Sequence, residues 1–329
     1  MMPLRPSSSA EVRRLSQPAF VLNAPFSLSS RVANNATMQK LGPQRRRIDR
    51  ARMFAQWQHL YRHLAARALV YLLPSKRDLQ DQPFVANLGI IPAHTRQSVA
   101  IVSRFKAKGR AGESKPGTTF FRAMGFETET CPSHFEGEAD LKYLRRDIYF
   151  GGHGLRSSPR AHAWLEKRHG FHVIPVPLFD PHLYHLDCVL HVVSRDCVLL
   201  ATGACPPETI RSIERVAGIV DVPLPLAWRG ATNVARVGGQ ILCDSSLPEL
   251  KRTDPLYAVE RDKKKFWEKW AGKLGLEPVF FNMSEFYKSG AMLSCLVLPL
   301  NYPHLCARAF SEKNVAVKGG GLYHQKGSS

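Results

Sequence analysis

The feature that most constrains this chain is a recurrence, from one end to the other, of short apolar runs separated by amphipathic stretches. FVLNAPF (20–26), ALVYLLP (68–74), VAIVSRF (99–105), DIYFGG (147–152), HVIPVPL (172–178), CVLHVV (188–193), CVLLA (197–201), ILC (241–243), PVFF (278–281) and LSCLVLPL (293–300) are of strand length and rich in Val, Ile, Leu and Phe. Between several of them lie helical patterns: 47–68, 159–170, 206–218 and 256–275, the last running out through Lys273 to Gly275. Strands alternating with helices predict an α/β fold. With 329 residues, 44% of them hydrophobic, the chain can bury a large core. No Gly/Ser tract interrupts the alternation before residue 303, so a single domain over 18–302 is expected. It is flanked by flexible segments at 1–17 and 303–329, the second polar and glycine-rich. No repeat of 20 to 50 residues survives counting, so any internal symmetry must be structural.

Composition removes several function classes. No run approaches the ~18 uncharged apolar residues of a spanning helix, and the N-terminus lacks the apolar core of a secretory signal. The expected location is cytoplasmic, with a mitochondrial presequence as the alternative, because the first residues carry Arg5, Arg13 and Arg14 against Glu11 as the one acid. Seven cysteines without CxxC or Cys/His zinc spacing indicate free thiols and no metal. A formal charge of +19 raises nucleic acid as a partner, and 44–52, 104–110 and 260–270 are basic stretches. None carries a nucleic-acid-binding module, so solvated basic faces are the expectation and nucleic acid is disfavoured. GGHG (151–154) lacks the spacing and the lysine of a phosphate loop.

Four segments hold chemistry-bearing residues. In YHLDCVLHVV (184–193), a strand would put His185 and Asp187 on one face, although an ordinary half-exposed strand reads the same way. In HFEGEADLKYL (134–144), Glu136, Glu138 and Asp140 alternate ahead of a strand, either as acid/base groups or as a solvated acidic turn; Arg156 follows in GGHGLRSS, placed to fork onto a carboxylate. Asn87 sits at the expected end of an apolar strand before Gly89, and Arg104 leaves the end of another. Cys295, in a small-residue stretch before an apolar run, is either core filler or a poised nucleophile.

Taken together and in order, these segments resemble the guanidino-group-modifying enzymes, which include dimethylarginine dimethylaminohydrolase, arginine deiminase, arginine dihydrolase and the amidinotransferases. The resemblance runs from about residue 20 to residue 302. It implies a five-bladed α/β propeller with its active site in the central channel. It also implies that Cys295 attacks the guanidinium carbon while His185 and Glu136 move protons, with no metal or organic cofactor. Asp187 would hold the guanidinium or orient the histidine, and Arg104 and Arg156 would grip the α-carboxylate of an arginine-like small-molecule substrate. Arginine deiminases and dimethylargininases generally have aspartate where this chain has Asn87, whereas arginine dihydrolases have asparagine; Asn35 in VANNATM is similar to a second dihydrolase asparagine. The implied activity is hydrolysis of arginine or a methylated arginine through a covalent amidino-cysteine. An amidinotransferase and a non-catalytic, RNA- or ribosome-binding propeller are the alternatives, and a homo-oligomer is left open.

Overall fold

A computed structural model describes residues 15–305. The flexible segments expected at 1–14 and 306–329 lie outside the described residues. Among the described residues the fold is mixed α/β, built from five three-stranded sheets of one pattern. The first complete unit joins β3 (Gly89–Ile90), β4 (Val99–Val102) and β5 (Glu127–Thr130), the first pair antiparallel and the second parallel. The same order recurs in β6 (Leu141–Arg145), β7 (Ile148–His153) and β8 (His172–Pro177). It recurs again in β9 (Leu190–Ser194), β10 (Cys197–Leu200) and β11 (Gly218–Asp221), and in β12 (Ala235–Val237), β13 (Gln240–Asp244) and β14 (Glu277–Phe281). The fifth sheet combines both ends of the described chain. Here β15 (Leu298–Pro299) lies antiparallel to β1 (Ala19–Asn23), which is parallel to β2 (Leu69–Leu73).

Each antiparallel pair needs only a tight connection, whereas each parallel pair needs a crossover, and helices supply it. The crossovers are α1 (Ala36–Arg45) and α2 (Arg50–Ala65) in the sheet of both ends, α3 (Ser114–Ala123), α4 (Pro159–His169), α5 (Pro207–Glu214) and α7 (Tyr257–Lys273) in the others. A four-residue turn of helix, α6, spans Leu224–Ala227, and another, α8, spans Ser284–Tyr287. The helices bury one stripe each: in α2, Met53, Trp57, Leu60 and Leu64 recur at helical spacing and pack with Phe20, Leu22 and Phe281 of the strands beneath. Their boundaries are set by caps. Ser158 accepts from the Arg160 amide ahead of Pro159, and Gly170 ends α4 in the left-handed conformation at φ 69°.

Three sequence expectations change in detail. Residues 15–17 and 303–305 are tied down: Asn301 Nδ2 donates to the Gln17 carbonyl at 3.0 Å, and Leu305 is buried at the end of a 3₁₀ turn. The basic stretch 260–270 is only half solvated, since Glu260, Lys263, Phe266 and Trp267 of α7 face inward. Lys263 Nζ lies 3.1 Å from Glu260 and 3.6 Å from Asp244, which compensates its buried charge. Among the described residues, no helix is long and apolar enough to cross a membrane.

Candidate active site

The site is assembled from one recurring position. In four of the five sheets the first strand follows a short 3₁₀ turn: Val85–Asn87 before β3, Gly137–Asp140 before β6, Leu186–Cys188 before β9 and Ser294–Leu296 before β15. In the remaining sheet, Thr232 and Asn233 stand just ahead of β12. Each candidate catalytic residue lies in or beside one of these approaches. His185, Asp187 and Asn87 therefore sit in irregular backbone ahead of strands, not on the strands themselves as the sequence pattern predicts. The shared strand face is not what joins His185 to Asp187. His185 is extended and Asp187 lies in the turn, so their side chains reach different partners.

His185 turns to Glu136. Its Nε2 lies 2.7 Å from Glu136 Oε2 and 3.2 Å from Asn87 Nδ2, with all three side chains buried. One ring nitrogen cannot donate and accept at once, so the shorter, charge-assisted contact makes Nε2 a donor to the carboxylate. Arg156 Nη1 approaches the same Glu136 oxygen at 3.5 Å, while its Nη2 donates to the Asn34 carbonyl at 3.1 Å and its guanidinium lies over the Tyr184 ring. Burial alone would raise the Glu136 pKa. The His185 hydrogen bond and charge, with Arg156 and Arg110 beyond, outweigh it and hold the carboxyl well below the usual range. Gly137 lets the turns meet, because at its φ of 65° a Cβ would fall 2.7 Å from Gly89 N and 2.8 Å from Ala86 O.

Asp187 turns to Cys295. Its Oδ2 accepts from Ser294 Oγ at 2.7 Å and lies 3.6 Å from Cys295 Sγ. Asn233 fixes the same turn from the opposite side, accepting from the Ser294 amide at 2.8 Å and donating toward the sulfur at 3.6 Å. Cys295 is 6% exposed. Burial, and then the Asp187 carboxylate, push its thiol up to about 12, so the resting group is a protonated thiol at neutral pH. A cation entering beside Asp187 would favour the thiolate.

Cys295, His185, Asn87, Asn35 and Arg156 line one cavity. Asn35 caps α1 by accepting from the Met38 amide at 2.9 Å and donates to the Ser289 carbonyl at 3.0 Å. Glu136 and Asp187 meet the cavity through His185 and Cys295. Arg104 does not join them: it is exposed, and its Nη1 donates to the Pro132 carbonyl at 2.7 Å. A buried arginine nearer the cavity is Arg110, clasped bidentately by Glu113 at 2.7 and 2.9 Å. The sequence reading did not single out Arg110, Asp81, Asn233 or Ser294. Asn233 had a readable signal, a polar residue just ahead of a short apolar strand, like Asn87 and Asp187. Glu138 and Asp140, instead of forming a solvated acidic turn, are buried: Glu138 pairs with Lys142 at 2.7 Å, and Asp140 accepts from Ser157 Oγ at 2.6 Å and the Leu186 amide at 3.0 Å. No group of three or more His, Cys, Asp or Glu side chains suited to a metal ion occurs among the described residues.

The chain is similar to known proteins in sequence and in fold. No family model matches the chain. It is 28% identical over 251 residues to N(G),N(G)-dimethylarginine dimethylaminohydrolase of Mycobacterium tuberculosis, covering 75% of each. It is 27% identical over 261 residues to the bifunctional arginine dihydrolase/ornithine cyclodeaminase AgrE of Nostoc sp., covering 78% of this chain and 34% of that longer protein. The crystal structure of AgrE with ornithine and NAD+ superposes with a TM-score of 0.76 and 25% identity over 88% of this chain and 40% of that one. The product-bound N-terminal domain of ArgZ, a cyanobacterial arginine dihydrolase, gives a TM-score of 0.75 at 23% identity, with 86% of this chain and 97% of that domain covered. By sequence and fold, the chain is similar to a dimethylarginine dimethylaminohydrolase and to arginine dihydrolases of the guanidino-group-modifying superfamily.

Proposed function

We propose that this protein is a cysteine-dependent hydrolase of the guanidino group of arginine or a methylated arginine, and that its reaction runs from arginine toward ornithine. The observation that carries the reading is the convergence, on one buried cavity, of the Cys295–Asp187 pair and the His185–Glu136 pair. In this account the five sheets are blades of a ring, closed by β15 against β1, and the cavity is its central channel.

A guanidinium carbon is a poor electrophile because its charge is delocalised, so its chemistry needs a strong nucleophile, an anion to hold the cation and a proton for the departing amine. Asp187 receives the cation 3.6 Å from the thiol. The arriving positive charge lowers the cost of forming the thiolate, whose proton passes to the His185–Glu136 pair, and the thiolate attacks the central carbon. Collapse of the tetrahedral adduct expels ammonia or an amine, protonated from the His185–Glu136 pair, and leaves an amidino-cysteine. Water, deprotonated by the same pair, adds to that carbon, and the thiolate leaves. Arg156 holds the far carboxylate by its planar fork. Asn87, beside His185, presents a neutral amide to the guanidino group. A second attack, on the ureido carbon, expels ammonia and leaves a thiocarbamate; a second water releases it from the thiolate as a carbamate, which loses carbon dioxide to give ornithine. AgrE and ArgZ, both described as arginine dihydrolases, are the relatives that support this preference, and an ArgZ variant has been crystallised covalently bound to a reaction intermediate.

The test is mass-spectrometric product analysis with L-arginine and with asymmetric dimethylarginine, beside a Cys295→Ser control. Ornithine from arginine is the expected product. Citrulline alone would reassign the specificity to single hydrolysis, and an unchanged product from Asn87→Asp would sink the role given to the amide.

A further inference from the structure

A second thiol stands behind Cys295. Cys188 ends the turn that carries Asp187, and its Sγ lies 3.5 Å from Asp187 Oδ1, while Cys295 Sγ lies 3.6 Å from the other oxygen of the same carboxylate. The two sulfurs also share Asn233, whose Nδ2 is 3.6 Å from Cys295 Sγ and 4.0 Å from Cys188 Sγ. Two sulfurs on one nitrogen can be no further apart than those two distances together. Both turns are pinned to the approach ahead of β12: Thr232 Oγ1 donates to the Cys188 carbonyl at 2.6 Å, and Asn233 Oδ1 accepts from the Ser294 amide at 2.8 Å.

The two thiols are not equally placed. Both are buried, but Cys295 lines the cavity and Cys188 lies in the wall behind it. A small neutral oxidant that enters the cavity therefore meets Cys295 first, with Cys188 sheltered within side-chain reach. The reaction set out above uses Cys295 and leaves Cys188 without a part in the chemistry.

We propose that Cys188 is a resolving thiol: once hydrogen peroxide has oxidised Cys295 to a sulfenic acid, Cys188 captures it as a Cys188–Cys295 disulfide. In the first step the Cys295 sulfur attacks one peroxide oxygen and the O–O bond breaks. Cys295 is oxidised to the sulfenic acid, and the other oxygen leaves as water with the thiol proton. In the second step Cys188, giving its proton to Asp187 Oδ1, attacks the Cys295 sulfur; the S–O bond breaks, and the hydroxyl leaves as water with that proton. Side-chain rotation closes the sulfurs to the ~2 Å of a disulfide. A thiol reductant reverses the linkage. Without Cys188 the sulfenic acid stays open to a second peroxide and passes to the sulfinic acid, which ordinary thiols do not reduce. The capture needs only the two thiols, so it does not rest on the hydrolase reading.

Burial and the Asp187 carboxylate push both thiols up, so the first step is slow and is driven with excess peroxide. The full chain, Cys188→Ser and Cys188→Ala are exposed to hydrogen peroxide, remaining thiols are blocked with iodoacetamide, and peptides are mapped without reduction and again after dithiothreitol. The expected result in the parent is a Cys188–Cys295 linked peptide as the main product at Cys295, lost on reduction, with at least fivefold less sulfinic acid at Cys295 than in either variant. Three results overturn the proposal: equal sulfinic acid in parent and variants, Cys295 linked to a different cysteine, or Cys295 still reduced when the half-buried Cys205 has been oxidised. Turnover of L-arginine reports on the proposed function separately. It should return on reduction in the parent and not in the variants; a parent that forms the linkage but turns over no arginine at any stage would leave the capture standing and remove the hydrolase reading.

Discussion

At Cys295 two needs conflict. The thiol must ionise to attack, yet it lies buried 3.6 Å from the Asp187 carboxylate, which disfavours its anion. The arrangement makes sense if the charge that relieves the conflict arrives with the ligand. Two consequences of opposite sign follow for Asp187→Asn. With the carboxylate removed, the thiol pKa falls from about 12, so iodoacetamide should alkylate Cys295 at pH 8 several-fold faster than in the parent protein. Turnover of a guanidino substrate should drop by roughly 10²-fold or more, since the cation loses its anchor. Alkylation rates and steady-state kinetics on one preparation check both, and parallel changes would show that Asp187 matters only for packing. The residue types were readable in sequence, but their partners were not. His185 and Asp187, two apart, invite a shared strand face; a 3₁₀ turn gives one to Glu136 and the other to Cys295.

At the level of elements, the recurring unit is a turn followed by a hairpin and a helical crossover, with the turn carrying chemistry. Short apolar runs revealed most strands, because burial demands Val, Ile, Leu and Phe whatever the partner strand. They did not reveal β5, whose ETET sequence has no apolar residue. They also overstated the last run, LSCLVLPL, of which only Leu298–Pro299 pairs as strand and Ser294–Leu296 forms the cysteine turn. Which segments abut is set by backbone contacts that leave little trace in composition. Gly137 is the clearest case, meeting Ala86 and Gly89 at the foot of the neighbouring unit. Gly137→Ala should therefore destabilise the protein by about 2 kcal/mol or more, through a Cβ in a left-handed conformation and against backbone, and should separate Glu136 from Asn87. Urea denaturation midpoints, read beside kcat, check the first and second effects. A wild-type midpoint would mean the two turns have room to spare.

For the whole molecule, the buried carboxyls near the cysteine cavity make stability depend on pH in two directions. Glu136 has a folded pKa below its unfolded value, so its contribution is present above about pH 4.3 and is lost as pH falls below that. Asp140 is the reverse case. Burial pushes it up to about 6, so the folded state holds a proton that the unfolded chain, near pH 3.9, has released. Its contribution therefore declines as pH rises from about 4 to about 6 and is level above that, a change on the order of 3 kcal/mol. Melting temperatures for the parent and Asp140→Asn between pH 4 and 7 test this: the variant should lose less stability over that interval. The same slope in both proteins would place the pH dependence elsewhere. Sequence could supply the acids but not this behaviour, since a carboxyl in FEGEAD looks solvated until the turn is seen buried beneath β6 and β7.

The central claim is that Cys295 becomes covalently bonded to the guanidino carbon of the substrate. The most direct measurement is rapid acid quenching of the enzyme during turnover of L-arginine, followed by intact-mass analysis and peptide mapping. The account predicts an adduct equal to the substrate less the departing amine, confined to the peptide containing Cys295 and absent from Cys295→Ser. Turnover that persists in Cys295→Ser, or an adduct mapped to another residue, would contradict it.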